Sequence, residues 1–459
     1  MSAADLVDEA ADEVVVVYGS EPPAGRDLDL LTGRRSAERL DRVLRAAGYE
    51  RHGRTYALFQ DGDVAVVDLT TPDAWGLSPE VAENLLAQAV PLDGRVRLSR
   101  PSPAHRLLLE ARRLVRGDGA LKPSARSRVM QALADPGAEQ EARRLAAGWG
   151  LGLALPCLLD AVDGAPVPPV RLQKAREETV AQGSAAGARS RRRAHARERV
   201  LGSALLARRR GRLVALSGLD GSGKSSQAES LAASLEKLGF DTVVVWTRLG
   251  SGERLRRFAS PLRRVLRPLL ARSSGAPAPS RYAAHVAPAD PVRSLRERSR
   301  LLTFAWALVV VLDHALQQRR NVGSHLRAGR VVICDRWAVD SLVHLRYRYG
   351  GSTSLTAHER LLRALAPRAD AAFLLDVPGA VAFGRKREQY SQEQLVKQER
   401  LYSVVARQLG AHVVDGTGPA AEIADVLGRH TWRSLHGASA RSLLARLAAA
   451  RRGRAGGSR

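Results

Sequence analysis

The chain runs to 459 residues, 45% of them apolar and 4% aromatic, with a formal net charge of +25. That length exceeds a single small core and points to two domains. Two cysteines exclude a disulfide framework or a cysteine metal cluster, and the acidic opening MSAADLVDEAADEV lacks the basic-then-apolar layout of a signal peptide.

The charge is unevenly placed: residues 1–165 hold 20 Lys/Arg against 25 Asp/Glu, and the rest of the chain 52 against 22. A basic half of this kind suits phosphates, nucleic acid or an anionic membrane, and equally an arginine-solvated surface. With so few aromatics and no recognisable reading module, specific nucleic-acid recognition is not expected. The longest apolar run, LLTFAWALVVVL at 301–312, is about half of what spans a bilayer and reads as a buried helix. No transmembrane segment is expected, and the cytoplasm is the expected location.

In chain order, EVVVVYGS at 13–20 reads as a strand and turn and DLDLL at 27–31 as a second strand. SAERLDRVLRAAGYE reads as an amphipathic helix opening on a serine cap, and TYALFQDGDVAVVDLT as a hairpin around Asp61-Gly62. From 78 to about 160 the apolar spacing is helical. GAPVPPV at 164–170 interrupts it, and a charged helix followed by GSAAGARSRRRAHARER reads as a linker. Apolar β-runs at 213–217, 242–246, 331–334, 371–376 and 411–414, separated by helical stretches, carry the pattern of a parallel α/β sheet. A basic insertion at 253–295 has apolar residues at helical spacing, broken by Pro261 and Pro268. The expected division is a domain at 1–165, a basic linker at 166–210, a second domain at 211–436 and a basic, disordered tail at 437–459.

GLDGSGKSSQ at 218–227 satisfies G-x-x-x-x-G-K-[ST] directly after a strand and before a helix. Glycines let successive backbone N–H groups curl around an anion, and the helix N-terminus adds partial positive charge. The expected cradle for ATP is Gly218, Asp220, Gly221, Ser222, Gly223, Lys224, Ser225 and Ser226. Lys224 would bridge the β- and γ-phosphates, and Ser225 would ligate Mg²⁺.

ALSGLDGSGKSSQ, VVICDRWAVDS, FLLDVPGAVAFGRKRE and HVVDGTGPAAEIADVL follow in an order that resembles the thymidylate kinase family of nucleoside monophosphate kinases, over about 212–430. The resemblance implies an α/β P-loop NTPase domain. It also implies roles for Asp335 at the metal's water shell or the acceptor, and for Arg336 as a clamp on an acceptor phosphate. Position 221 is Gly where some members carry a P-loop arginine, so Arg385 and Arg387, with Lys386 beside them, become the candidates for the transition-state charge. Asp220 is placed to meet an acceptor sugar hydroxyl, or to stabilise the turn.

The acceptor-reading text departs from the family. TRLGSGE keeps Thr247, Arg248 and Gly250 but loses the usual Glu-Pro, which leaves Arg248 as an acceptor-binding candidate. LTFAWALVVVLDH offers no arginine, Leu342 replaces a second serine, and the Ala-Tyr-Gln that helps to read thymine is missing. A pocket built on hydrogen bonds to a base tolerates their loss poorly, so dTMP is one acceptor among several.

In the N-terminal part, Gly19-Ser20 follows a strand, Asp27-x-Asp29 lies on the next, and Asp68 sits inside VAVVDLT. This text resembles the polymerase-β type of nucleotidyltransferase, a smaller α+β domain here followed by a helical extension. Residues 27 and 29 share one strand face, and three converging carboxylates can hold two Mg²⁺ ions. A D-x-D at a strand edge or turn is the structural alternative.

The reading that follows is an ATP- and Mg²⁺-dependent phosphotransferase acting on a small phosphorylated acceptor such as a nucleoside monophosphate. The alternative is an ATP-binding regulatory or assembly module in nucleotide-sugar or cell-envelope polysaccharide metabolism. A homodimer is compatible with either.

Overall fold

A computed structural model describes residues 2–22, 27–117, 119–185, 211–247, 300–350, 354–386 and 390–436. The insertion at 253–295 and the tail at 437–459 lie outside them. The chain divides into two compact units, one of residues 1–58 with 64–203 and the other of 59–63 with 204–459.

The first unit begins α1 (Ala3–Ala10), β1 (Val15–Val17), β2 (Asp27–Thr32), α2 (Arg34–Ala46), β3 (Glu50–His52), β4 (Thr55–Gln60) and β5 (Asp63–Thr70). It continues α3 (Pro79–Ala87), β6 (Val90–Pro91), β7 (Leu98–Arg100) and five helices, α4 (Pro103–Arg116), α5 (Pro123–Leu133), α6 (Ala138–Trp149), α7 (Ala154–Val162) and α8 (Pro169–Ala185). Its seven strands form one mixed sheet in the order β3-β4-β5-β2-β1-β7-β6. β2 pairs with β5 and β1 with β7 in parallel, while β1–β2, β3–β4 and β6–β7 are antiparallel. The β4–β5 turn has positive φ at both Asp61 and Gly62, the two-residue turn whose twist suits a hairpin.

Three local expectations are corrected here. The helix after β2 starts at Arg34 with Gly33 as its cap, and Ser36 is buried within its first turn. The stretch from 78 is not purely helical, because β6 and β7 complete the sheet; at two and three residues they are too short for alternation to show. Part of the expected linker is the packed helix α8, whose Leu172 and Ala175 join the core of Leu107, Leu108, Trp149 and Leu158.

The second unit contains β8 (Arg212–Gly218), α9 (Lys224–Lys237), β9 (Thr242–Trp246), α10 (Arg300–Arg327), β10 (Val331–Asp335) and α11 (Ala338–Tyr349). α12 (Thr356–Leu365), β11 (Ala371–Asp376), α13 (Gly379–Arg385), α14 (Gln392–Leu409), β12 (His412–Asp415) and a helix over 420–436 complete it. The sheet order is β12-β11-β8-β10-β9, with every neighbouring pair parallel. Each strand falls within one residue of its sequence expectation. β8, β10 and β11 are covered on both faces and read as continuous apolar runs, while the edge strands β9 and β12 are partly exposed. Val214 and Leu216 pack toward Leu231 and Leu235 of α9, while Leu213 and Ala215 pack with Val322 of α10. The strand order turns back at β8, so a crevice opens past its carboxyl end.

The apolar run at 301–312 is helical but buried on one side only. Ala307, Val310 and Val311 are in the core, while Leu301, Phe304, Val309 and Leu312 are exposed. Among the described residues no helix is long and apolar enough to cross a membrane.

Candidate active site

β8 carries the chain to Gly218, and the loop closes at Gly223, which caps α9 with a positive φ. Gly221 has φ 92, and a Cβ there would stand 2.5 Å from the Ala382 carbonyl of α13, so the loop closes this tightly only with glycine. The N-terminus of α9, with its unpaired N–H groups, then faces the crevice.

Lys224 is buried, and its Nζ donates to the carbonyls of Gly218 at 2.9 Å and Leu219 at 2.6 Å and to Ser222 Oγ at 3.2 Å. Burial pulls its pKa below the ordinary lysine value, against the opposing pull of Asp340 and Asp335. Ser225 Oγ donates to Asp335 Oδ2 at 2.6 Å. Asp335 ends β10, in register with Leu216 of β8 and Trp246 of β9, so the sheet itself sets it across from the loop. Burial raises its pKa above the usual carboxylate range, although Ser225 and Lys224 pull it back. Its Oδ1 is buried without a hydrogen-bond partner.

Arg336 turns the chain sharply, at φ 76, while its N–H donates to Leu216 O at 2.9 Å. A non-glycine residue held in that region is strained, and such strain concentrates at functional sites. Its guanidinium lies on the Asp220 carboxylate, and both Arg336 Nε and Asp220 Oδ2 are buried without partners. Beneath this pair, Asp340 accepts from the Trp337 N–H at 3.0 Å and the Tyr402 hydroxyl at 2.9 Å, tying α11 to α14.

These groups open on one cleft of about 340 Å³, lined by Asp220, Gly221, Gly223, Lys224, Ser225, Ser226, Trp246, Asp335, Arg336 and Lys386. Lys224 and Arg336 therefore share a cavity. Of the three cations named at 385–387, Lys386 lines the cleft, whereas Arg385 donates to Gly416 O at 2.9 Å and Thr417 O at 3.4 Å. Arg248 and Arg387 lie outside the described residues. Trp246 and Tyr402 were not singled out in the sequence. Only the pairing of strands and helices distant along the chain brings them here.

The residues suit a metal-bound triphosphate. Ser225 Oγ and the Asp335 carboxylate, one oxygen of which has no partner, form a hard oxygen pair suited to Mg²⁺ and its water shell. The glycine loop and Lys224 supply the anion-binding half.

No family model matches the chain. A stretch of 175 residues, 37% of the chain, is 31% identical to a probable thymidylate kinase of Pyrococcus abyssi and covers 66% of that relative. A stretch of 169 residues is 28% identical to a probable thymidylate kinase of Pyrococcus horikoshii, again over 66% of its length. The chain carries a thymidylate kinase-like region. It spans just under two thirds of these relatives, and its all-parallel sheet and P-loop cleft are compatible with a kinase of that type.

The first unit brings two of its three singled-out carboxylates together. Asp29 and Asp68 are register partners on β2 and β5, while Asp27 stands exposed beside Val66 at the start of β2. Each of the pair faces an arginine. Arg113 of α4 donates to Asp29 Oδ2 at 2.5 Å and covers the Tyr18 ring, and Arg54 lies 3.6 Å from Asp68, which also accepts from Thr55 Oγ. Burial raises the Asp29 pKa; Arg113 opposes this, and Asp27 and Asp68 add to it. Ser20 Oγ accepts from Arg128 at 3.4 Å. Among the described residues no three His, Cys, Asp or Glu side chains are grouped to hold a metal ion.

Proposed function

We propose that the chain is an ATP- and Mg²⁺-dependent phosphotransferase that moves the γ-phosphate to a small phosphorylated acceptor, a nucleoside monophosphate in the first instance. The observation that carries this reading is the single cleft onto which Lys224, the Ser225–Asp335 pair and Arg336 all open. Phosphoryl transfer asks the protein mainly for alignment and charge stabilisation, and this cleft offers both. The P-loop N–H groups and Lys224 hold the donor's phosphates, and Lys224 exchanges its contacts with loop carbonyls for phosphate oxygens. Ser225 and Asp335 would hold Mg²⁺, which would shield charge on the donor. Arg336 leaves Asp220 to take the acceptor's phosphate by its fork, freeing the Asp220 carboxylate for a hydroxyl of the acceptor. Lys386 supplies cationic charge from the side of α13.

The test is ATP consumption against a panel of nucleoside monophosphates and sugar phosphates, for wild type, Lys224→Ala and Asp335→Ala. At least one acceptor should be turned over, and each substitution should lower kcat by about 100-fold or more, the usual loss on removing a preorganised charge. Tight ATP binding with no turnover of any acceptor would reject the transferase reading in favour of a regulatory ATP-binding module.

A further inference from the structure

The first unit contains a second cavity, of about 590 Å³, larger than the P-loop cleft and within the ~300–1,000 Å³ typical of small-molecule sites. Its walls are α2, the turn between β3 and β4, the end of β5 with residues 70–75, and Arg116 at the end of α4. On the α2 side the carboxylates are already matched. Glu38 faces Arg34 at 3.6 Å, and Asp41 accepts from Arg45 at 3.0 Å, Arg51 at 2.9 Å and the Tyr56 hydroxyl at 2.6 Å.

The opposite side has an excess of positive charge. Arg54 and Arg116 both line the cavity, while the guanidinium of Arg112, one helical turn before Arg116, is committed to the Trp75 carbonyl and ring. Among the described residues, the Arg54 side chain makes the 3.6 Å contact with Asp68, and no hydrogen bond or ion pair engages the Arg116 side chain. Asp73 is the one remaining carboxylate of the lining, exposed at its edge. Two guanidinium forks lining one cavity suit a dianionic phosphate, which has enough charge and oxygens to engage both.

We propose that this cavity binds a small organic phosphate, its phosphate group held between Arg54 and Arg116 and its polar body lying against Thr70, Thr71 and the Trp75 side. This site is separate from the P-loop cleft and does not depend on the phosphotransferase reading.

The experiment is isothermal titration of the full-length chain carrying Lys224→Ala and Arg336→Gly. These changes silence the P-loop cleft, and glycine accepts the positive φ at 336. The probes are AMP, glucose 1-phosphate and inorganic phosphate. One equivalent of AMP or of glucose 1-phosphate should bind, and the preferred probe tells a nucleotide ligand from a sugar phosphate. Adding Arg116→Gln or Arg54→Gln should weaken that binding tenfold or more. Both side chains are exposed, so the melting temperature of each variant should stay near that of its parent, which excludes unfolding as the cause. Failure of both organic phosphates to bind, a stoichiometry well above one, or affinity unchanged by both arginine substitutions would overturn the proposal.

Discussion

At the scale of single residues, the cleft holds its charged groups in environments that oppose their charge. Asp335 is the clearest case, because burial raises its pKa while Oδ1 has no partner. Replacing it with Asn should therefore stabilise the ligand-free protein, by about 1 kcal/mol, while removing turnover. The sign with pH follows from the raised value. The wild-type penalty is complete above the raised pKa and fades as pH falls through it, so the melting-temperature gap to Asp335→Asn should close in acid. A variant less stable than wild type at neutral pH would contradict this account. The P-loop was legible because local chemistry demands those residue types in that spacing, whereas Asp335 and Arg336 entered through the family resemblance. Which cation reaches the cleft was not legible. The spacing of Arg385, Lys386 and Arg387 looks equivalent in the sequence, but carbonyls brought in from the far end of the chain engage Arg385 and leave Lys386 at the cleft.

At the scale of elements, β8, β10 and β11 were readable to within a residue because burial on both faces makes each a nearly continuous apolar run, and the partly exposed edge strands β9 and β12 were readable from their short valine runs. β3, β6 and β7 are edge or near-edge pieces of two or three residues whose existence depends on their neighbours, and no local pattern marks them. Pairing between helices was equally hidden. Arg346 of α11 grips Glu359 of α12 with two hydrogen bonds, at 2.7 and 2.8 Å, and this holds the Glu359 pKa below the usual range. That stabilisation is present above the unfolded carboxylate pKa and lost as pH falls through the lowered folded value. Glu359→Gln should cost about 1–2 kcal/mol at neutral pH, with no difference from wild type in strong acid; denaturant titrations at both pH values measure it. A pH-independent loss would mean that packing, not charge, joins the two helices.

At the scale of the whole molecule, two compact units with separate cores imply two unfolding events. On the proposed function, ATP with Mg²⁺ would bind only the folded form of the P-loop unit, so at 100 times its Kd it should stabilise that transition by about 2.7 kcal/mol and leave the other in place. Scanning calorimetry with and without nucleotide reads this directly, and Lys224→Ala should erase the shift. Movement of both transitions together would show that the units unfold as one. The hydrogen bond between Ser225 and Asp335 joins positions 110 residues apart, and Lys386 enters from further along still. A ribosome that has released only the glycine loop has therefore made a motif without a workplace. The proposed nucleotide competence would be acquired late in synthesis, once the strands on either side of β8 have docked. Retention on an ATP resin would thus serve as an assay for completed folding of this half of the chain, and a truncation ending before β11 should pass through unretained.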